Sequence, residues 1–393
     1  MFFRDDMKVI ADQARRKVLA ACGDAIDAVV TVDPMHVGYL SGYRSIQLDV
    51  DRNYRCAAIV TRDRAVLIVG AADAAPALEV LRDPASIYRY GLFFFAQSHE
   101  ADVDFAALPP SKANFAEALG AAVAATLAAK DVIGLDAATA GDMNELQAIV
   151  THSSMDVRQK IIRARSVKTP EEISRIRNAA EITERGMEKA IRHAAPGVTE
   201  LELSTLIASE IHAGGGIPRF VVVTAGDRAA IADAYASRAE LKSGDLVRFD
   251  VGCTLDGYWA DTARTIVIGA PTREQQSRYD ALLAGELAQF EIAKPGIHAS
   301  DLFKVAVDTV RKGALSGYQR THCGHGIGIA AHEFPTLNAA NHDVLVEEGM
   351  VFCVETPYYQ IGWGGMMVED MIVIRPQGPE FLTKLPRELI QIG

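Results

Sequence analysis

Three histidines, His322, His325 and His332, fall inside the glycine-threaded stretch HCGHGIGIAAHEFP (322–335). Imidazole is a common metal ligand and also the side chain that titrates nearest neutrality, so the cluster implies a metal site, an acid–base site or both. One such segment supplies too few groups, and carboxylates elsewhere must complete the set. In DLVRFDVGCTLDGYWADTARTIVI (245–268), two β-rich arms flank Asp256-Gly257, a hairpin signal. A two-residue loop at 255 and 256 sets Asp250 directly opposite Asp261, within about 5.5 Å at Cβ. Like charges so placed repel and call for a cation or a shared proton. GMVFCVETPYYQIGWGGMMVEDMIVI (349–374) repeats the device, with Glu355 opposite Glu369 about the glycine-rich IGWGG. Taken alone, Asp250 and Asp261 fit a solvated hairpin rim. Taken together, four carboxylates and a histidine form a hard-oxygen set suited to manganese, cobalt, iron or zinc, and two divalent ions would neutralise the four negative charges.

These residues must be held by a sizeable scaffold. At 393 residues the chain exceeds one usual core, so two domains are expected. The boundary is placed at 160, with domains 1–160 and 161–393. In the first part, residues 7–22 fit an amphipathic helix and AIDAVVTV (25–32) a buried strand. CAAIVT (56–61) and AVLIVG (65–70) read as a hairpin, ANFAEALGAAVAATLAAK (113–130) as a helix and DVIGLD (131–136) as a strand. This part carries no evident cluster of metal ligands. In the second part, Thr169 with Glu172, Thr199 with Glu202 and Thr272 with Gln275 mark three helix starts, with Pro170 at the first helical position. Long helices alternating with β-rich segments indicate an α+β or α/β fold.

The net charge of −11 disfavours nucleic acid and anionic membrane as partners. Five scattered cysteines without a CxxC pair read as reduced thiols. The N-terminal MFFRDDMKVIADQARRKV lacks the apolar core of a secretory signal, and no apolar run reaches the roughly 18 residues of a membrane span. A cytoplasmic protein is expected.

The motifs resemble those of the pita-bread metallohydrolases, the methionine aminopeptidase, Xaa-Pro aminopeptidase and prolidase family that includes creatinase. Asp250 and Asp261 in FDVGCTLDGYWADTART, His325 in GHGIG, Glu355 in GMVFCVE and Glu369 in VED match its five metal-ligand positions over roughly residues 168 to 377. AIDAVVTVDPMHVGYLSGY resembles the opening of a creatinase-type N-terminal domain. The resemblance implies a catalytic pita-bread domain behind a smaller α/β domain, a homodimer, and two divalent ions. It also implies hydrolysis of an Xaa-Pro peptide bond by a hydroxide bridging the ions. His332 would donate to the substrate carbonyl and Glu355, besides binding metal, would shuttle the proton.

Two positions depart from the family. Asp233 stands where a substrate-facing histidine is usual, before Leu241–Asp245, and Met367 stands where prolidases carry a carboxylate-binding arginine. Asp233 is thus a candidate to face a cationic substrate group, and Met367 to line an apolar pocket. Tyr358 and Tyr359 in ETPYY are candidate substrate contacts, and His322 has no assigned role beyond nearness to the site. The departures leave open a non-peptide substrate, an amide or amidine cleaved by a creatinase-like hydrolase or lyase. A metal-free binding module is the third reading.

Overall fold

The structure is a computed structural model that describes residues 5–98 and 104–393, so the first four residues of the N-terminal stretch read above lie outside it. The chain divides into two compact units, Met1–Arg165 and Ser166–Gly393. The helix Arg158–Ser166 carries the first unit past residue 160. Its Arg158 Nη1 donates to Asp33 Oδ2 at 2.8 Å and Asp136 Oδ1 at 3.2 Å, and Arg165 Nη1 lies 2.7 Å from His36 Nε2.

The first unit is a six-stranded mixed sheet. Its strands are β1 (Ala28–Thr31), β2 (Ala57–Val60), β3 (Ala65–Gly70), β4 (Ile87–Tyr90), β5 (Val132–Asp136) and β6 (Ser153–Asp156), in the order β4-β3-β2-β1-β5-β6. The expected hairpin is β2–β3, paired antiparallel, while β5 runs parallel to both β1 and β6. The alanine-rich helix Phe115–Thr126 packs Phe115, Ala118, Leu119 and Ala122 into one core with Val30, Ile59 and Ile133. Small side chains let that helix lie close on the sheet.

The sequence shows no ligand cluster in this unit, yet folding gathers Asp33, His36 and Asp136. Their polar atoms are already satisfied. Thr31 Oγ1 donates to Asp136 Oδ2 at 2.6 Å, His36 Nδ1 meets the same oxygen at 2.7 Å, and Arg158 bridges both acids. A buried carboxylate pair already neutralised by a guanidinium and a ring N–H is a structural network.

The second unit is built on a larger sheet. Its strands are β7 (Ile217–Ala225), β8 (Leu246–Leu255), β9 (Tyr258–Ile268), β10 (Gly324–Gly326), β11 (Glu333–Thr336) and β12 (Val351–Glu355). They continue with β13 (Tyr358–Gln360), β14 (Gly364–Met366), β15 (Glu369–Arg375), β16 (Gly378–Phe381) and β17 (Ile390–Ile392). The main path runs β11-β10-β12-β15-β9-β8-β7, with β16 on β15 and β17 on β9, while β13 and β14 form a separate ribbon. Helices Pro170–His193, Glu200–Ala213 and Arg273–Ile292 begin with the three expected capping boxes, at Thr169, Thr199 and Thr272. Each such cap stabilises its helix by about 1 kcal/mol. The long helix Pro170–His193 buries Ile173, Ile176, Ala180, Met187 and Ile191, one face at helical spacing. Among the described residues no helix is long and apolar enough to cross a membrane, and all five cysteines are buried and unbridged.

Candidate metal centre

Strand register gathers the site. Asp250 on β8 pairs with Ala263 on β9, Ala263 with Glu369 on β15, and Glu369 with Glu355 on β12. These four residues form one rung across four neighbouring strands, and directly paired residues share a face. Two positions along, on the same face, stand Asp261 of β9 and Cys353 of β12, and Cys353 pairs with His325 of β10. All five expected ligand residues therefore project from one side of one sheet.

The expected register of the first hairpin is corrected by two residues. Asp261 pairs with Gly252, and Leu255 pairs with Tyr258, so the loop residues are Asp256 and Gly257. Both take positive φ, 52° and 88°. A type I′ turn needs that at both central positions, and Asp-Gly supplies it where Leu255 would be strained. Asp250 and Asp261 are consequently diagonal neighbours on one face, not directly opposed. Glu355 and Glu369 are directly paired, as the spacing requires.

Asp261, Glu355 and Glu369 are buried and Asp250 is half-buried, and two of the four carry an oxygen that no protein group satisfies. Asp261 Oδ1 and Glu369 Oε2 have no hydrogen-bond partner. Burial first, and then Asp250 and Glu355, push the Asp261 carboxyl well above its ordinary value. Burial, Asp261 and Glu355 do the same to Glu369. Asp250 is pushed up to about 6 by burial, even though Arg248 Nη1 donates to its Oδ2 at 2.9 Å. For Glu355, burial is outweighed by His322, His325 and Arg320, which hold it below the usual range. His322 Nδ1 lies 2.9 Å from Glu355 Oε1. Burial depresses His325 to about 4, so its imidazole is neutral and has a lone pair to offer. Its Nε2 lies 3.8 Å from Asp261 Oδ2 and 4.0 Å from Glu369 Oε1.

Orphaned carboxylate oxygens around a neutral imidazole are what a divalent cation satisfies, and the residues fit such an ion. Ligand atoms of Asp261, His325, Cys353 and Glu369 lie within 4.8 Å of one another. Cys353 is better read as a packed thiol. Its Sγ faces the Asp261 carbonyl oxygen at 3.6 Å, and burial pushes its pKa well up, so the thiolate that binds metal is disfavoured.

The centre opens into a cavity of about 590 Å³ whose lining also includes Asp233, Arg320, His322, His332, Tyr359 and Met367. The ring of His332 stacks on that of His325, centroids 3.7 Å apart, and its exposed face reaches the cavity. Asp233 is exposed at the rim, and Met367 is buried with its Sδ 3.7 Å from Tyr359 Oη. Tyr358 is not among the lining residues. Adjacent strand residues point to opposite faces, and Tyr358 packs against Trp363 and donates to Gln360 Oε1 at 2.8 Å. Sequence reasoning passed over Arg248 and Arg320. Arg248 is fully buried and also donates to the carbonyl oxygens of Ala229 and Ile231, at 3.2 and 3.0 Å. Its place two residues before Asp250, on the same strand face, was the available signal.

The family model described as metallopeptidase family M24 matches residues 174–376, more than half of the chain and all five of these positions. The chain belongs to metallopeptidase family M24. Proteins of similar sequence include the Xaa-Pro dipeptidases of Pyrococcus furiosus and Pyrococcus horikoshii, 33% and 34% identical over 228 residues, or 58% of this chain. The matches span 62 to 65% of the length of the curated relatives. Among solved structures, the prolidase from Pyrococcus furiosus superposes with a TM-score of 0.74 at 26% identity, covering 94% of this chain and 100% of that one. Dipeptidase PepE from Mycobacterium ulcerans, at 22% identity, shares the fold with a TM-score of 0.80 over 98% of each chain. Membership of M24 implies divalent metal, in keeping with the donor set described.

A pH dependence follows from the acids. A carboxyl raised in the folded state contributes stability below its unfolded value, about 4, and loses it as pH rises through the folded value. The metal-stripped protein is therefore expected to lose stability from pH 4 upward through 6, as Asp250 and then its neighbours are forced to ionise. The melting-temperature gap between metal-loaded and stripped protein should widen over that range. A gap that stays constant from pH 5 to 8 in calorimetry would show that these acids do not hold protons in the stripped protein.

Proposed function

We propose that this chain is a metal-dependent hydrolase that cleaves the carbon–nitrogen bond of short Xaa-Pro peptides. The observation that carries the reading is the single sheet face of four carboxylates, three of them buried, and a neutral imidazole, opening into a cavity sized for a small substrate. Asp250, Asp261, His325, Glu355 and Glu369 would hold two divalent ions, drawn from manganese, cobalt, iron or zinc. Ions there would supply Lewis-acid polarisation of the scissile carbonyl and an acidified water.

The remaining steps belong to the side chains. Glu355, whose carboxyl is held below its usual range beside His322, His325 and Arg320, takes the proton of the attacking water and returns it to the departing nitrogen. His332, at the cavity face of the imidazole stack, donates an N–H to the carbonyl oxygen as negative charge grows there. Arg248 fixes the Asp250 carboxylate in one orientation. The reading extends to a homodimer with the first unit as a creatinase-type domain, which follow from the resemblance, and to the cytoplasm, which follows from the composition.

The test is turnover of a panel of Xaa-Pro di- and tripeptides by chelator-stripped protein reloaded with manganese, cobalt, iron or zinc. Metal-dependent release of the N-terminal residue is expected. Silence on every peptide, with bound metal demonstrated by elemental analysis, would overturn the peptidase reading in favour of a small non-peptide amide or amidine.

A further inference from the structure

The acid next to His332 has no part in the chemistry above. Glu333 opens β11, and its carboxylate turns back into residues 327–332, the connection from β10 to β11 that carries His332. Its Oε1 accepts the Ala330 N–H at 3.0 Å, and a Cβ added to Gly328 would lie 2.9 Å from each carboxylate oxygen. Its Oε2 accepts from Lys168 Nζ at 3.2 Å, and the two side chains are 1% exposed for Lys168 and 3% for Glu333. The connection is thus wound about a buried carboxylate whose charge is met from a distant part of the chain.

Lys168 is itself anchored. Its backbone N–H donates to the Gly349 carbonyl oxygen at 3.0 Å, its Nζ also donates to the Ser166 carbonyl oxygen at 3.2 Å, and Val167 bridges to Met350. Met350 directly precedes β12, the strand that carries Glu355, so the ammonium is tied to the frame of the metal centre. Replacing a buried ion pair by apolar side chains of similar volume is often neutral or stabilising, so stability alone does not account for charges at this place. His332 does. It is exposed, and its ring lies face to face with that of His325 at 3.7 Å. A stack fixes the plane of a ring but lets it slide within that plane, so the backbone of 327–332 must set where the imidazole N–H points. Misplacement of a reacting group by about 1 Å can cost about 10²-fold in rate.

We propose that Lys168 and Glu333 are positioning residues, which lock the 327–332 connection so that the His332 N–H stays aimed at the substrate carbonyl. This rests on the hydrolase reading for the role of His332, and the experiment separates the two. Three variants perturb the lock differently. Lys168→Met removes the cation, Lys168→Arg keeps it, and Gly328→Ala displaces the carboxylate while stranding no charge. On zinc-loaded protein, with bound metal verified for each variant, hydrogen exchange of the 327–332 amides and the His332 imidazole resonances are recorded. Lys168→Met and Gly328→Ala are expected to speed exchange at Ala330 by about tenfold or more and to shift the His332 resonances, with metal content unchanged. For glycyl-L-proline, kcat should fall about 10- to 100-fold in both, within the worth of one oxyanion donor, while KM changes little. Lys168→Arg should restore most of the loss. In a His332→Ala background, Lys168→Met should lower kcat by no more than about twofold further, because residues that act as a unit are not additive.

Equal losses from Lys168→Met with and without His332 overturn the proposal, since a merely structural pair would weaken both backgrounds alike. So do wild-type exchange and wild-type His332 resonances in Lys168→Met and Gly328→Ala. Should Lys168→Met fail to fold, Gly328→Ala decides. If no peptide is turned over, yet exchange and the His332 resonances change as expected, the positioning assignment stands and the peptidase reading falls. If neither changes, the positioning assignment falls whatever the turnover.

Discussion

Replacement of Glu355 by Ala is expected to abolish turnover and weaken metal binding together. Glu355 is a member of the rung, paired with Glu369, and of the four acids it is the one whose carboxyl is held below its usual range. Removing it deletes one oxygen-donor side chain and the base, and general-base assistance alone is worth about 10²–10⁴-fold in rate. Glu355→Gln separates the effects, because the amide keeps the shape and one acceptor oxygen but cannot take a proton. Glu355→Gln should retain more metal than Glu355→Ala while losing activity by roughly 10³-fold. Elemental analysis beside single-turnover kinetics reads both. Wild-type activity in either variant would sink the assignment of Glu355 as base.

The second large effect is structural and lies on the opposite face of the same strands. Strand alternation turns Arg264 and Asp370 away from the acids, and there the two fully buried side chains meet at 2.9 Å. Burial opposes ionisation of Asp370, but Arg264, Arg387 and Thr383 outweigh it and hold the carboxyl below its usual range. Arg264 also donates to the Glu369 carbonyl oxygen at 2.6 Å, which ties the pair to the backbone that carries a candidate ligand. Breaking a buried pair from one side leaves an uncompensated charge, at a cost of about 3–5 kcal/mol. Asp370→Ala is expected to lose that much in denaturant unfolding and to melt on the order of 10 °C lower. The double variant Arg264→Met, Asp370→Leu should lose less than Asp370→Ala, since the fully buried guanidinium leaves with its partner and only the part-exposed Arg387 loses an acid. If Asp370→Ala melts within 2 °C of the wild type, about the shift of a surface change, the pair is not holding β15 in place.

Local chemistry made much of this legible in the sequence. The Thr169, Thr199 and Thr272 caps, the β2–β3 hairpin and the ligand motifs are short-range signals, and the structure realises the caps and the hairpin as read. Spacing between two acids does not set the register of β8 and β9, because it cannot say which loop residues take positive φ. The turn chemistry of Asp256-Gly257 can. Tyr358 and Tyr359 are equivalent in a sequence, and only the parity of β13 sends one to the cavity and the other to Trp363. The roles of Arg248 and Arg320 depend on burial and on partners brought near by the fold, which the sequence does not display. The same holds for Asp33, His36 and Asp136, whose meeting requires β1 and β5 to lie side by side.

The rung itself constrains the order of events in folding. Its members are spread from Asp250 to Glu369, on strands whose neighbours in the sheet are often distant in the chain. No shorter piece of the second unit holds the complete set, and closing loops of that length is entropically costly before any ion rewards it. Metal capture is thus a late event, open only to a chain whose strands have found their register. Until then the clustered acids repel one another, and a slip of one position turns a strand's acids to the opposite face. The ion that would equip the site for chemistry is also an assembly inspector, rewarding with its binding energy the one arrangement in which every strand is in place.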